Sequence, residues 1–133
     1  MRHPDYPIWS FIAILLVALP APWHLRARNV ATLCLICWLV IANSCTFVNS
    51  LIWDGNYSDK SPVWCDISSR IHLLVNYAIP ACSLAQMRRL ESVASSRRSL
   101  ISARDRKRRL LQEIGLCILV PVILTGLCVV VQG

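Results

Sequence analysis

The strongest constraint on this chain is a set of four apolar segments, about residues 6–23, 30–53, 63–90 and 114–132, each long enough to cross a bilayer as a helix. Backbone in hydrocarbon must satisfy its own hydrogen bonds, so segments of this kind fold as spanning α-helices. The fold expected is therefore an all-α membrane protein, with inner loops at 24–29 and 91–113 and an outer loop at 54–62. Composition points the same way: 56% of the 133 residues are hydrophobic, more than a water-facing surface tolerates.

A formal net charge of +7 raises nucleic acid as a partner, but the placement of the charge argues against it. Nine of the fourteen Lys and Arg stand between Arg88 and Arg109, beside apolar segments, where they fix topology. Segments 24–29 and 88–113 together hold eleven of the fourteen, against Arg2 in the amino-terminal tail and Lys60 in the second connection. The amino terminus is accordingly expected outside. The sequon Asn56-Tyr57-Ser58 falls on the same outer side and makes Asn56 a glycosylation candidate, although such triplets are common by chance. A cleaved signal peptide is the rival reading of the first segment. Asp5 offsets Arg2 and His3, Pro20 suits a cleavage site badly, and the stronger basic cluster follows the segment, so an uncleaved helix is expected.

Six of the seven cysteines, Cys34, Cys37, Cys45, Cys82, Cys117 and Cys128, lie inside apolar stretches and read as small packing residues. Cys34-x-x-Cys37 has the spacing of half a zinc site, with no second Cys or His pair nearby. His72 is the one histidine at membrane depth and has no carboxylate or second imidazole at ligand spacing on its own face. No metal, cofactor or enzymatic activity is expected.

The third segment is the most polar. Polar side chains at membrane depth normally face a bundle interior or a wet cavity. Ser69, His72, Asn76, Ser83 and Gln86 share one helical stripe there, and Asn43, Thr46 and Ser50 form a shorter stripe on the second segment. These stripes either hydrogen-bond helix to helix or line a cavity. Asp66 and Arg70 have the spacing of an i,i+4 ion pair near the outer interface, which either offsets the burial of both charges or meets a ligand. The basic stretch 91–113, interleaved with Ser92, Ser95, Ser96, Ser99 and Ser102, reads as a contact with anionic membrane lipids or as a docking surface open to phosphorylation.

Specific residues carry a resemblance as well. They are Pro22-Trp23-His24 and Asn29, then Trp38, Asn43, Phe47-Val48-Asn49 and Ile52-Trp53 in the second segment. Val63-Trp64-Cys65-Asp66-Ile67 opens the third, Pro80-Ala81 and Arg88-Arg89-Leu90 lie toward its inner end, and Val130-Val131-Gln132-Gly133 closes the fourth. In this order they resemble the fungal mating-pheromone receptors of the a-factor-receptor type, the class D seven-helix receptors, and look most like the mushroom versions.

The resemblance implies a multi-pass plasma-membrane receptor that binds a lipidated peptide pheromone outside and activates a heterotrimeric G protein inside. It implies that Trp64, Cys65 and Asp66, with Arg70 one turn on, support the pheromone site. Arg88 and Arg89, with Arg97 and Arg98 behind them, would stand on the G-protein side, and Asn43, Thr46, Ser69, His72 and Asn76 would face the bundle interior. Leu74, Ala78 and Glu91 depart from the family's pattern, which often has glycines at the first two positions and an aromatic at the third. The chain would supply the first four of seven helices, as an amino-terminal fragment or a truncated, non-signalling product. The rival class is a small four-span subunit of a transporter or channel, which an internal repeat would favour; none is visible.

Overall fold

The computed structural model describes residues 5–54, 61–95 and 102–132, and the regular structure among them is helical. Helix α1 spans Asp5–Ala18 and a short α2 spans Ala21–Arg26. The break between them falls where Pro20 and Pro22 interrupt the ladder, Pro22 sitting in the first turn of α2, where its missing N–H costs nothing. α3 runs Val30–Ile52, α4 runs Pro62–Ala94 and α5 runs Ala103–Ile114. α5 passes through a π-helical turn, Gly115–Leu119, into α6, Val120–Gln132. At 1.5 Å per residue the 30-residue rod Ala103–Gln132 is about 45 Å long. The hydrocarbon layer takes up about 30 Å of such a rod, so the basic α5 is the part that projects.

The connections at 24–29 and 91–113, the second of which has helical potential in its sequence, are helical in part: α2 reaches Arg26, α4 reaches Ala94, and α5 is helical from Ala103. Arg, Lys, Leu, Gln and Glu are good helix formers, and polarity alone does not end a helix. Three helical stretches, Asp5–Arg26, Val30–Ile52 and Ala103–Gln132, are long and apolar enough by length and composition to cross a membrane. α4 has ample length at 33 residues, but Asp66, Arg70, Arg88, Arg89 and Glu91 within it lower its apolar character.

Local caps explain the corner between α2 and α3. Arg28 takes a left-handed φ of 51°, and Arg28 N–H and Asn29 N–H donate back to Leu25 O (3.1 Å) and His24 O (3.0 Å). This is a Schellman ending, with arginine where glycine is usual. The Asn29 side chain then accepts from Thr32 N–H at 3.4 Å and caps α3.

α3 is the hub, touching α1, α4 and the α5 end of the last rod, while α4 packs along α6. Phe11 of α1 meets Phe47 of α3 with centroids 6.3 Å apart in a tilted arrangement. Ala31, Cys82, Ala85 and Cys117 form the buried centre, with Cys34, Leu35, Trp38 and Leu116 packed around it. Small residues at this centre let three backbones approach closely, which replaces the hydrophobic drive that lipid removes. Trp38 Nε1 donates across the centre to the Cys117 carbonyl at 3.2 Å. That carbonyl stands four residues before Pro121, which has no N–H to give it, and the indole brings it a donor from another helix.

Candidate functional site

The helices gather polar groups at two ends, a basic end and the end opposite it. At the opposite end, Asn49 of α3 donates from Nδ2 to Ser68 Oγ at 2.7 Å and accepts from Trp64 Nε1 at its Oδ1, also at 2.7 Å. One amide thus uses both its polar atoms to hold α3 against the start of α4. Beside it, Arg70 Nε lies 3.1 Å from each Asp66 carboxylate oxygen, with both side chains more than half exposed. Asp66, Ser69, Arg70 and Leu73 line one wall of a cleft of about 400 Å³, and Val129 and Gln132 of α6 line the other. Cys65 is exposed at the same end. The cleft presents a carboxylate, a guanidinium and a hydroxyl beside the apolar Leu73 and Val129. Among the described residues no group of three or more His, Cys, Asp or Glu is placed to hold a metal.

At the basic end, Arg89 Nη1 donates to the Arg28 carbonyl at 3.1 Å and lies 3.9 Å from Glu113 Oε2. Arg89 therefore ties the α2–α3 corner, α4 and α5 together. A second cleft, of about 430 Å³, opens between α4 and α5 beside it, with Arg88, Ser92 and Ser95 on one side and Arg109 and Gln112 on the other. Arg97, Arg98 and Asn56 lie outside the described residues.

Among the described residues no hydrogen bond joins the two polar stripes, and the bond from the α4 stripe to α3 runs to Thr32, outside the second stripe. Gln86 Nε2 reaches across to Thr32 Oγ1 at 3.3 Å. Asn43, Thr46, Ser50, Ser69 and Ser83 instead donate to carbonyls of their own helices, at Leu39, Ala42, Phe47, Cys65 and Ile79. His72 is half-buried, and Ser69 and Asn76 are exposed in this set of helices. The buried residues of α4 are Ser68, Val75, Ala78, Ala81, Cys82 and Ala85, of which Ser68, Val75, Cys82 and Ala85 each stand one position before a member of the polar stripe. Sequence reasoning missed Asn49 and Ser68 as partners. The signal that finds them is the run of small residues Ala78, Ala81, Cys82 and Ala85, which marks the packed face.

Comparison with known proteins gives a consistent picture. The STE3 family, described as pheromone A receptor, matches residues 5–133. The chain is 41% identical over 131 residues to the Pheromone B beta 1 receptor of Schizophyllum commune, covering 98% of this chain and 24% of that protein. It is 36% identical over 127 residues to Pheromone receptor 1 of Mycosarcoma maydis, covering 96% and 36%. To the Pheromone M-factor receptor of Schizosaccharomyces pombe it is 28% identical over 133 residues, covering 96% and 35%. The chain thus spans between a quarter and just over a third of the length of these relatives. No solved structure matches it. With a family match from the first described helix to the end of the last, on an all-helical chain with membrane-length apolar helices, this protein belongs to the STE3 family of pheromone receptors.

Proposed function

We propose that this chain forms the first four helices of a plasma-membrane receptor that recognises a lipidated peptide pheromone and couples to a heterotrimeric G protein. The carrying observation is the family match over residues 5–133, to which the relatives' names as pheromone receptors give direction. In this reading all four helices cross the bilayer, α4 included, and the amino terminus and the Asn49–Trp64–Ser68 end face outward. The basic end faces the cytosol, in keeping with the positive-inside rule. The cleft walled by Asp66, Ser69 and Arg70 then meets the peptide part of the pheromone, with Trp64 and Cys65 as neighbours. The exposed apolar residues near it, Val63 and Ile67, offer a path from bilayer to cleft for the lipid part. On the cytosolic side the ends of α4 and α5, with Arg97 and Arg98, face the G protein. Asn43, Thr46, His72 and Asn76 face the interior of the complete bundle.

The test is a mating-reporter assay in cells whose own receptor has been deleted and which carry the gene encoding this chain. Expected is a dose-dependent response to a lipidated peptide pheromone and at least a tenfold weaker one to the same peptide without its lipid. Equal responses to both peptides would remove the lipidated ligand. Silence toward every compatible pheromone, with the protein at the cell surface, would remove the receptor reading.

A further inference from the structure

We propose that the cleft between α4 and α5 at the basic end is a binding site for the phosphate of an anionic phospholipid headgroup. The inference goes beyond pheromone recognition and G-protein coupling, and needs only that the helices stand in a bilayer with this end at the inner leaflet.

The cleft is about 430 Å³, within the usual range for small-ligand sites. Its charges are not equivalent. Arg89 and Glu113 face each other at 3.9 Å, and Arg89 is further held by the Arg28 carbonyl, so this pair is occupied in holding the helices together. Arg88 on α4 and Arg109 on α5 are exposed on the cleft walls and have no ion-pair partner among the described residues. Glu91, the remaining carboxylate on the lining, leaves a net positive charge when set against these two arginines. Ser92, Ser95 and Gln112 add neutral donors on both walls. Two arginines on the lining of one cleft, with hydroxyl and amide donors on the same lining, suit a phosphate group, which arginine holds by paired N–H donors. Elsewhere on α5, outside the cleft lining, Arg104, Arg106, Lys107 and Arg108 against Asp105 add to the positive charge of this end.

The shape favours a lipid as the source of that phosphate. Ala85 and Leu116 line the cleft together with the charged residues, so the site runs from charged mouth to apolar floor. Leu84, one turn before Arg88, is 53% exposed, and Leu119, in the π-helical turn just beyond Leu116, is 62% exposed. A headgroup seated between Arg88 and Arg109 would leave its acyl chains against such side chains. Basic pockets between membrane helices at the inner leaflet suit anionic headgroups for this reason.

The experiment is native mass spectrometry of the full chain, released from nanodiscs that hold phosphatidylcholine with a minor fraction of a phosphatidylinositol bisphosphate. Expected is retention of the inositol lipid, reduced about tenfold in Arg88→Gln/Arg109→Gln and less than twofold in Arg104→Gln/Arg106→Gln, which removes the same charge outside the cleft. The conservative Arg88→Lys/Arg109→Lys should retain an intermediate amount, since it keeps charge but not paired donors. Equal loss in the two glutamine variants would overturn the site in favour of diffuse attraction. Soluble inositol trisphosphate retained as well as the lipid would overturn the lipid as ligand while leaving phosphate chemistry. A photo-crosslinker at Ser92 that captures an acidic protein segment instead of lipid would overturn the proposal in favour of a protein partner. None of these readouts involves pheromone or G protein, so failure here and failure of the receptor reading are separable.

Discussion

Asn49 joins two helices with a single side chain, and its worth follows from what lipid does to an unmade bond. Interhelical hydrogen bonds in membranes contribute about 0.6 kcal/mol on average and up to about 1.7. Asn49 makes two, at 2.7 Å each, so Asn49→Ala should destabilise the helix bundle by about 1–2 kcal/mol. Unfolding of the purified protein in mixed micelles measures this. Trp64→Phe keeps the ring and removes one donor, so it should cost about half as much, and combining the two changes should cost less than their sum because they share a bond. Strict additivity would mean that the Trp64–Asn49 contact carries no energy. Ser68 and Asn49 were hard to read from sequence because polar residues advertise themselves one position away, at Ser69, where the hydroxyl merely bonds back to the Cys65 carbonyl. The i,i+4 ion pair of Asp66 and Arg70, in contrast, was legible from spacing alone. Its exposure keeps its contribution to stability within about 1 kcal/mol.

Among the elements, the last rod and the α2–α3 corner each contain a local departure that a neighbour or a cap completes. Trp38→Phe should leave the Cys117 carbonyl without its indole donor and cost about 1–3 kcal/mol. Pro121→Ala returns an N–H to the rod itself, so the same tryptophan change should cost markedly less in that background. A double-mutant cycle on thermal stability reads the difference, and an unchanged cost would show that the indole is not the donor the proline makes necessary. At the corner, Arg28 holds a left-handed conformation that costs an L-residue about 1–2 kcal/mol. Arg28→Gly relieves this and keeps the carbonyl that Arg89 uses, so net stabilisation of up to about 1 kcal/mol is expected, and a β-branched Arg28→Val should destabilise. The break at Pro20 falls inside a segment read as continuous over 6–23, whereas element existence was legible in the runs of apolar residues. The π-helical turn was not, since Gly115 and Pro121 mark weakness in the ladder without saying which neighbour will mend it.

At the scale of the molecule, the small-residue centre of Ala31, Cys82, Ala85 and Cys117 joins three elements, while long apolar faces remain open, as membrane helices allow. The inward assignment of His72 and Asn76 is tested by cysteine substitution in a full-length receptor. Both positions should resist a lipid-soluble maleimide, and a cysteine at Leu84 should react; free labelling at Asn76 would place that face against lipid. The architecture was legible because hydrocarbon admits so few backbone solutions. The cleft at the basic end was not, because a run of arginines in sequence does not reveal that Arg89 will be taken up by Glu113 and Arg28 while Arg88 and Arg109 stay open. The Trp38 bond also bears on biogenesis. Its partner carbonyl comes 79 residues later in synthesis, so α3 is already made when the last rod leaves the ribosome. Lateral release of that rod beside α3 brings the Trp38 donor to its Cys117 carbonyl at once, making the earlier helix an intramolecular insertion partner for the later one.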